Sequence, residues 1–415
     1  MVIPDIIFRH ATEAAFLWLL RDMAVKQPHY SLKDLTRLDD RLEAHLDGLR
    51  IAGDEGWEVC KEQLFINEPG EVFTAAVIAF ESKKDKRIDQ VLEAGIKDQE
   101  RLRSVTSALG WIEYQDIRQI AESFWFETDP VLQQLGIASA AIHRKDIPDE
   151  VLISALNNEN IYLKSRALKA LGELGKVNML QYLQNSFYND IPLVSFTAAR
   201  SALLLGNTNA QYILKELLNN TDEPYHEEIV ILSSRKMNLK DSKTWLSELK
   251  NNTEQLRLAI VCAGASGDPF NIPWLIDMMR IDDFSRKAGE SFSMITGVDL
   301  AYDNLDLRMH NGFSKGPNEN PEDENVEMDI DENLPVPDAD LVSKWWINNK
   351  TGYKNNIRYL NGQPVSPEWP KQVLKTGLQR QRYAAALELV MLSPGEKLFN
   401  VKANGVRQKK ILNVK

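Results

Sequence analysis

Cysteine is almost absent from this chain of 415 residues. Only Cys60 and Cys262 occur, about two hundred residues apart, and neither belongs to a CxxC pair. This scarcity excludes a disulfide framework and favours a reducing compartment. We therefore expect a cytoplasmic protein.

Long apolar runs are also missing. A membrane-spanning helix needs roughly 20 consecutive apolar residues, and no uninterrupted run approaches that length. The first thirty residues are rich in apolar side chains, but Asp5, Arg9, His10 and Glu13 interrupt them and no basic region precedes them. An amphipathic helix fits this pattern better than a signal peptide. The sequence predicts a soluble chain with no membrane partner.

Motifs of common catalytic sites are absent as well. The chain contains no GxSxG, no GxxxxGK[ST], no HExxH and no Cys–His pair at local spacing. His10 and Glu13 lie one helical turn apart and could exchange protons, but a helix cap or a buried hydrogen bond is the favoured interpretation. We predict no catalytic, cofactor-binding or metal-binding residue and no bound cofactor.

Positive charge is not concentrated anywhere in the first 300 residues, and the net charge of −11 has a local origin. Residues 317–340 (PNENPEDENVEMDIDENLPVPDAD) hold ten acids and no Lys or Arg; the rest of the chain carries 50 of the 60 acids against 49 basic residues. A nucleic-acid-binding protein would be expected to show a basic stripe. We therefore predict no nucleic-acid partner.

The densest group of charges is LDDRLEAHLDGLR at residues 38–50. Its leucines continue from Leu35 at three- or four-residue steps and predict one buried helix face. Asp39, Glu43 and Asp47 fall on another face. His45 lacks a second His or Cys at i+3 or i+4, as a metal site would require. A solvated helix face with a packed or capping histidine is the favoured interpretation, with a functional site as the alternative.

The strongest signal is an internal repeat. SRALKALGELGKVNMLQYL (165–183), TAARSALLLGNTNAQYIL (197–214) and LRLAIVCAGASGDPFNIPWL (256–275) each join two apolar helices through a glycine and polar turn residues. Equivalent positions recur 29 to 33 residues apart along the chain. These anchors are positions 110, 143, 175, 206, 238, 267 and 297. Where the anchor is a glycine, that residue would supply a left-handed C-cap to the first helix.

A single hairpin of this kind cannot bury both apolar faces, so its neighbours must stack. We therefore predict an all-α fold, an α-solenoid of about seven HEAT-like hairpins over residues 73–300. Residues 1–72 form a helical N-terminal cap, with helices near 5–26, 31–51 and 54–66. Residues 301–340 form an acidic, Pro-rich flexible insertion. Residues 341–415 form a helical C-terminal cap with a short extended segment near its end.

The two ends of the chain carry a resemblance. The segments RHATEAAFLWLLRDMAVKQPHYSLKDLTRLDDRLEAHLDGLRIAGDEGWEVC and GLQRQRYAAALELVMLSPGEKLF resemble the ends of an uncharacterised bacterial HEAT-like repeat family that is often encoded beside type VI secretion genes. The resemblance spans nearly the whole chain. It implies a protein partner among secretion components, effectors or their neutralisers, and it brings no catalytic residues.

Two classes of function follow from these patterns. The first, which we favour, is a non-enzymatic protein-binding scaffold that acts as an accessory, adaptor, chaperone or immunity protein. The second is an enzyme on a HEAT-like scaffold, as in bilin lyases and alkylated-base DNA glycosylases. The charge distribution argues against a glycosylase, and fold analogy alone supports a lyase. The oligomeric state stays open.

The acidic insertion and a tandem tryptophan supply the candidate partner-binding residues. Prolines and mutual repulsion should keep residues 317–340 disordered and able to attract a basic partner, although a mere spacer is an equal alternative. Tryptophan is enriched at binding hot spots, but core packing of both indoles is the competing interpretation. The candidates are Glu322, Asp323, Glu324, Glu327, Asp329, Asp331, Glu332, Trp345 and Trp346.

Overall fold

A computed structural model describes residues 3–220, 225–307 and 331–414, and these residues are almost entirely helical. They form 22 α-helices and one two-stranded ribbon, in which β1 (Tyr359–Leu360) pairs antiparallel with β2 (Gln363–Pro364). The predicted all-α fold is confirmed. The described part of residues 75–300, which excludes 221–224, contains no β-strand. None of the described helices combines the length and apolar character needed to cross a bilayer.

The chain divides into two compact units. Unit 1 comprises Met1–Asn207 and Ser393–Lys415, and unit 2 comprises Thr208–Leu392. The helices of unit 1 are α1 (Pro4–Ala24), α2 (Leu32–Ala52), α3 (Asp54–Gln63), α4 (Pro69–Ser82), α5 (Asp85–Gly95), α6 (Gln99–Trp111), α7 (Tyr114–Ser123), α8 (Pro130–Ile142), α9 (Asp149–Leu156), α10 (Ile161–Leu174), α11 (Leu180–Gln184), α12 (Pro192–Leu204) and α22 (Gly405–Leu412). Those of unit 2 are α13 (Ala210–Asn220), α14 (His226–Lys236), α15 (Leu239–Lys250), α16 (Leu256–Ser266), α17 (Ile272–Met278), α18 (Asp282–Thr296), α19 (Ala339–Asn349), α20 (Trp369–Thr376) and α21 (Gln379–Leu392).

The three N-terminal helices lie where the sequence predicts them. α2 begins with a capping box, in which the Ser31 hydroxyl accepts from the Asp34 amide and the Asp34 carboxylate accepts from the Ser31 amide. The leucine stripe of α2 is buried in the core of unit 1, together with Trp18, Phe73 and Leu109. The local pattern of apolar residues therefore fixes both the helices and the faces that they bury.

Helices two apart in the chain pack against each other within each unit. In unit 1 this gives one continuous layer from α4 through α6, α8 and α10 to α12, while α5, α7, α9 and α11 each lie beside a neighbouring member of the layer. In unit 2, α14, α16 and α18 pack in the same way, with α15 and α17 beside them. Stacking of this kind buries the second apolar face of each hairpin.

Four of the predicted left-handed turns are present. Gly175, Gly206, Gly267 and Gly297 have φ values of 70°, 92°, 69° and 73° and follow helices α10, α12, α16 and α18. Close approach is a second reason for glycine at two of them. A β-carbon on Gly175 would lie 2.1 Å from the Gly395 carbonyl oxygen, and one on Gly267 would lie 2.3 Å from the Tyr359 carbonyl oxygen.

The other three anchors have different roles. Gly110 lies inside α6, where a β-carbon would meet Ile142 at 2.9 Å, so its role is close helix packing. His143 follows α8 with negative φ, and the next residue, Arg144, takes the left-handed conformation instead. Asn238 caps the N-terminus of α15 by accepting from the Asp241 amide. The predicted left-handed glycine cap is therefore wrong at Gly110, and positions 143 and 238 hold no glycine that could supply one.

The predicted turn and extended segment near the C-terminus run past the ends of helices in unit 1. The Leu398 amide donates to the Glu173 carbonyl oxygen over 3.0 Å, and the Asn400 side chain donates to Ile142 over 3.2 Å. The Arg407 guanidinium donates to the carbonyl oxygens of Gly110 and Trp111. These bonds satisfy terminal carbonyl groups that a helix leaves unpaired.

Unit 2 contains a similar crossing. The Tyr359 amide donates to the Gly267 carbonyl oxygen over 2.8 Å, and the Asn361 amide donates to Met294 over 2.7 Å. Arg358 donates to the Met237 carbonyl oxygen over 2.7 Å. An extended segment therefore passes the C-terminal ends of α14, α16 and α18.

The boundaries of the predicted flexible insertion need correction. Residues 301–307 and 331–340 are ordered, because the Leu307 amide donates to Val336 and the Asp338 amide donates to Leu305, each over 2.8 Å. The predicted flexible insertion is therefore wrong at both of its ends. Further along the chain, α20 begins at Trp369, whose amide donates to the Ser366 hydroxyl over 3.2 Å.

Candidate functional site

The charged stretch of residues 38–50 is not a uniformly solvated helix face. Asp39 is only 1% exposed, which corrects the prediction. Its carboxylate accepts from the Arg21 Nε over 2.9 Å and from the Gly405 amide over 2.6 Å. Burial raises the pKa of Asp39, and Arg21 opposes that rise. Arg21 also donates to the carbonyl oxygens of Lys402 and Ala403. This pair therefore anchors the C-terminal segment.

Two further acids of the stretch, Glu43 and Asp47, bind an arginine. Arg50 donates to Glu43 and Asp47 over 2.6 Å each, and its Nε donates to Glu81 over 2.7 Å. Burial opposes the charged form, but these carboxylates raise the pKa of Arg50 above its ordinary value. The Trp111 indole donates to Glu43 over 2.6 Å. Glu43, Arg50, Glu81 and Trp111 line an open cleft of about 760 Å³, and Arg50 pairs there with the two carboxylates.

The histidine of the stretch contacts another histidine. His45 Nδ1 and His10 Nδ1 lie 3.2 Å apart, so one ring donates and the other accepts. Burial and the neighbouring His10 lower the pKa of His45, while Glu13 opposes this. In residues 3–220, 225–307 and 331–414, no three His, Cys, Asp or Glu side chains come together as a metal site.

Five of the predicted partner-binding acids, Glu322, Asp323, Glu324, Glu327 and Asp329, lie outside the described residues. The two described members differ from each other. Asp331 is buried and accepts from both terminal nitrogens of Arg257, over 2.5 and 3.0 Å. The prediction of an accessible, disordered acid is therefore wrong for Asp331. Glu332 is exposed.

The tandem tryptophans point to different neighbours. Trp345 packs edge-on against Phe292 with ring centroids 5.6 Å apart. Trp346 packs against Tyr353 at 5.3 Å. Both indoles are half-buried, so neither is a fully exposed anchor. Their part in partner binding stays a prediction.

Unit 2 contains a charged cleft of about 270 Å³ between α14, α16, α18 and α21. Lys287 bridges Glu227 and Glu290 at 3.1 and 2.9 Å, and Arg380 binds Glu290 at 2.8 Å. Burial would raise the pKa of Glu290, but the two cations hold it below its ordinary value. This network keeps its carboxylate ionised, so Glu290 does not carry the raised pKa expected of a general acid.

The arginine pair of α21 divides between this cleft and the core. Arg380 lines the cleft, whereas Arg382 is fully buried and its Nε donates to the Leu374 carbonyl oxygen over 2.8 Å. Burial lowers the pKa of Arg382 to about 10. The two guanidinium groups therefore serve different partners, as their helical spacing predicts.

The most unusual surface is the outer face of α1. Four large apolar side chains on it, Phe8, Phe16, Leu19 and Met23, are 40% to 59% exposed. At 100° per residue they fall within an arc of about 80°, opposite the buried face that carries Ala11, Ala14 and Trp18. α1 is thus apolar on two sides, and only one of them is buried.

The exposed apolar surface of α1 continues on a short helix that follows α3. A short 3-10 helix, Leu64–Ile66, follows α3, and its Phe65 and Ile66 are 82% and 54% exposed. The Gln63 side chain donates to the Thr12 hydroxyl of α1 over 3.1 Å, which places the two elements side by side. We call these six residues the α1 patch: Phe8, Phe16, Leu19, Met23, Phe65 and Ile66. The sequence held a signal for it, because apolar residues occur all around α1.

No model of a known protein family matches this chain, and no curated protein matches it either.

Proposed function

We propose that this chain is a non-enzymatic protein-binding scaffold in which each unit is a stack of HEAT-like hairpins. The packing of helices two apart and the left-handed glycine caps support that architecture. The resemblance of both chain ends to a family encoded beside type VI secretion genes supports a narrower role. The partner is then a secretion component, an effector or its neutraliser, and the chain acts as adaptor, chaperone or immunity protein.

The α1 patch carries this proposal. At 150–250 Å² for a large side chain, its six residues at 40% to 82% exposure present on the order of 600 Å² of apolar surface. Monomeric soluble proteins rarely expose contiguous apolar patches above a few hundred Å², and larger ones mark interaction sites. A standard interface buries about 800 Å² on each partner, so the patch could form most of one.

The rim of the patch indicates what kind of partner fits it. Asp5, Glu62 and Glu68 are exposed close to its apolar residues in the chain, with Arg9 as a nearby cation. A partner with an apolar helix face and basic flanks complements both the apolar surface and this acidic excess. Two copies of the same patch would instead place like charges together.

The test compares two charge insertions with a matched control. The double variant Phe16→Glu, Met23→Glu and the single variant Phe65→Glu disrupt the patch. Phe126→Glu serves as control, because Phe126 is 74% exposed in the three-residue 3-10 helix Phe124–Phe126, outside the patch. Proteins retained by wild-type chain from a lysate of the source organism are identified, purified, and titrated against all four chains by calorimetry.

The proposal expects one purified partner that binds the wild type and Phe126→Glu equally. Its affinity for the patch variants should fall at least about a hundredfold, as for loss of a hot spot of roughly 3 kcal/mol. Equal binding to all variants would refute the role of the patch. Light scattering that finds a dimer of the wild type, dissociated by the patch substitutions, would assign the patch to a second copy instead.

A further inference from the structure

A half-buried acid lies beside the α1 patch. Glu71 is in the first turn of α4, directly after Gly70. A β-carbon on Gly70 would lie 2.6 Å from the Ala15 carbonyl oxygen, so the start of α4 lies against the middle of α1. Consecutive Cα atoms are about 3.8 Å apart, which brings the Glu71 Cα within about 8 Å of that oxygen. Ala15 directly precedes Phe16, a member of the patch.

The Glu71 carboxylate lacks a counter-charge. Its Oε2 is buried and has no hydrogen-bond partner, and no ion pair involves Glu71 in the part of the chain that the structure describes. The residue as a whole is half-buried, so a side chain of another molecule can still reach it. A partly buried carboxylate without a partner is costly, and such groups in native proteins usually serve a purpose.

The start of a helix explains an acid at this position but not its burial. Burial raises the pKa of Glu71, and the neighbouring Glu68 adds to that rise. An acid in the first turn of a helix interacts favourably with the helix dipole. Glu100 and Asp116 occupy the first turns of α6 and α7 and are exposed, so they gain this benefit without losing water. The partial burial of Glu71 therefore needs a separate reason.

The charges near the patch favour a cation as that reason. Asp5, Glu62 and Glu68 are exposed acids close to the patch in the chain, and Glu71 adds a fourth negative group to a surrounding in which Arg9 is the nearby cation. A basic side chain brought by the partner would relieve this excess. It would also supply the hydrogen-bond donors that a carboxylate accepts.

We propose that Glu71 selects the partner of the α1 patch by pairing with a basic side chain on the partner's amphipathic helix. This inference rests on the proposed function of the patch and adds the residue that discriminates between partners. An arginine suits the role best, because its planar fork can make two parallel hydrogen bonds to a carboxylate. The apolar contacts provide most of the buried area. The ion pair then fixes the position of the helix and disfavours helices that leave Glu71 unpaired.

The probe is a displayed library of amphipathic helical peptides, with leucines fixed three and four positions apart and all other positions random. Peptides are selected separately on the wild type, Glu71→Gln and Glu62→Gln. Those that still bind the double variant Phe16→Glu, Met23→Glu are discarded, so that only peptides that need the patch remain. Glu62→Gln is the matched control, because it removes the same charge from an exposed acid near the patch.

Peptides selected on the wild type and on Glu62→Gln should share an arginine or lysine at one fixed position relative to the leucines. Those selected on Glu71→Gln should lack that preference. Measured by anisotropy, such a peptide should bind Glu71→Gln about tenfold more weakly than the wild type, as for loss of one charge-assisted contact. Glu62→Gln should change its affinity by less than about twofold, as for an exposed charge.

Thermal unfolding separates this role from a purely structural one. Glu71→Gln should melt no lower than the wild type, because the unbound protein loses no pairing. A variant that melts lower and binds the peptides normally would overturn the proposal. Patch-dependent peptides without a shared basic position would also overturn it, while the proposed function of the patch would stand. If no peptide depends on Phe16 and Met23, the patch itself fails, and this inference fails with it.

Discussion

Unit 1 should lose stability in mild acid because of one histidine. His143 Nε2 lies 2.9 Å from the Leu109 carbonyl oxygen, and a carbonyl only accepts, so Nε2 carries the proton of a neutral ring. Burial and the nearby Arg407 lower the pKa of His143 to about 4, from 6.5 for a free side chain. Protonation at Nδ1 would place a second cation beside Arg407. The folded state therefore disfavours the charged ring.

The sign and size of the effect follow from linkage. The unfolded chain binds the proton first, so stability that is present above pH 6.5 is lost as the pH falls towards 4. The full difference between the pKa values of the unfolded and folded states corresponds to at most about 3 kcal/mol of unfolding free energy. Between pH 7 and pH 5, about 2 kcal/mol of the unfolding free energy should be lost through this group.

The assay compares urea unfolding of the wild type and His143→Gln at pH 7 and pH 5. Glutamine can still donate to the Leu109 carbonyl oxygen but does not titrate. Other groups, including His45, are common to both proteins and cancel in the comparison. On acidification, the unfolding free energy of the variant should fall by about 2 kcal/mol less than that of the wild type. An equal loss in both proteins, or a pKa of His143 at or above 6.5 by NMR titration, would refute the reasoning.

Three further predictions concern buried groups. Asp39→Ala should lower the unfolding free energy by about 3 kcal/mol, because it leaves the buried Arg21 without its carboxylate, and calorimetry measures this. Gly267→Ala should cost about 2 kcal/mol or more, because the new β-carbon would approach the Tyr359 carbonyl oxygen in addition to straining the left-handed backbone; a loss of only about 1 kcal/mol in urea, as for left-handed strain alone, would contradict the role of close approach. Burial raises the pKa of Cys60 to about 12, so maleimide should label it only in denaturant, and rapid labelling of the native protein would show the site to be open.

Features that depend on neighbours along one helix were predicted well. The leucine stripe of α2 needs only residues three or four positions apart. Four left-handed glycines, such as Gly175, follow from apolar helices that stop at a glycine and a polar turn. In these cases the chemistry that decides the structure lies within one or two turns, where the sequence displays it.

Features that depend on distant residues were missed. Asp39 was assigned to a solvated face because its partners, Arg21 and the Gly405 amide, come from other elements, the latter 366 positions away. Asp331 looked like one more acid in an acidic run, yet its contact with Arg257 buries it. Composition cannot distinguish a paired acid from a free one.

The left-handed glycines at helix ends also allow contacts with distant parts of the chain. Two extended segments, one in each unit, pass the ends of stacked helices and bond to their terminal carbonyl groups. A helix that ended in a larger residue would keep such a segment away, because the β-carbon would meet its backbone, as at Gly175 and Gly267. The repeated glycine therefore does more than turn the chain at these positions. It also leaves room at the helix end for the backbone of a later segment. The repeated glycine and the path of the extended segments are therefore related.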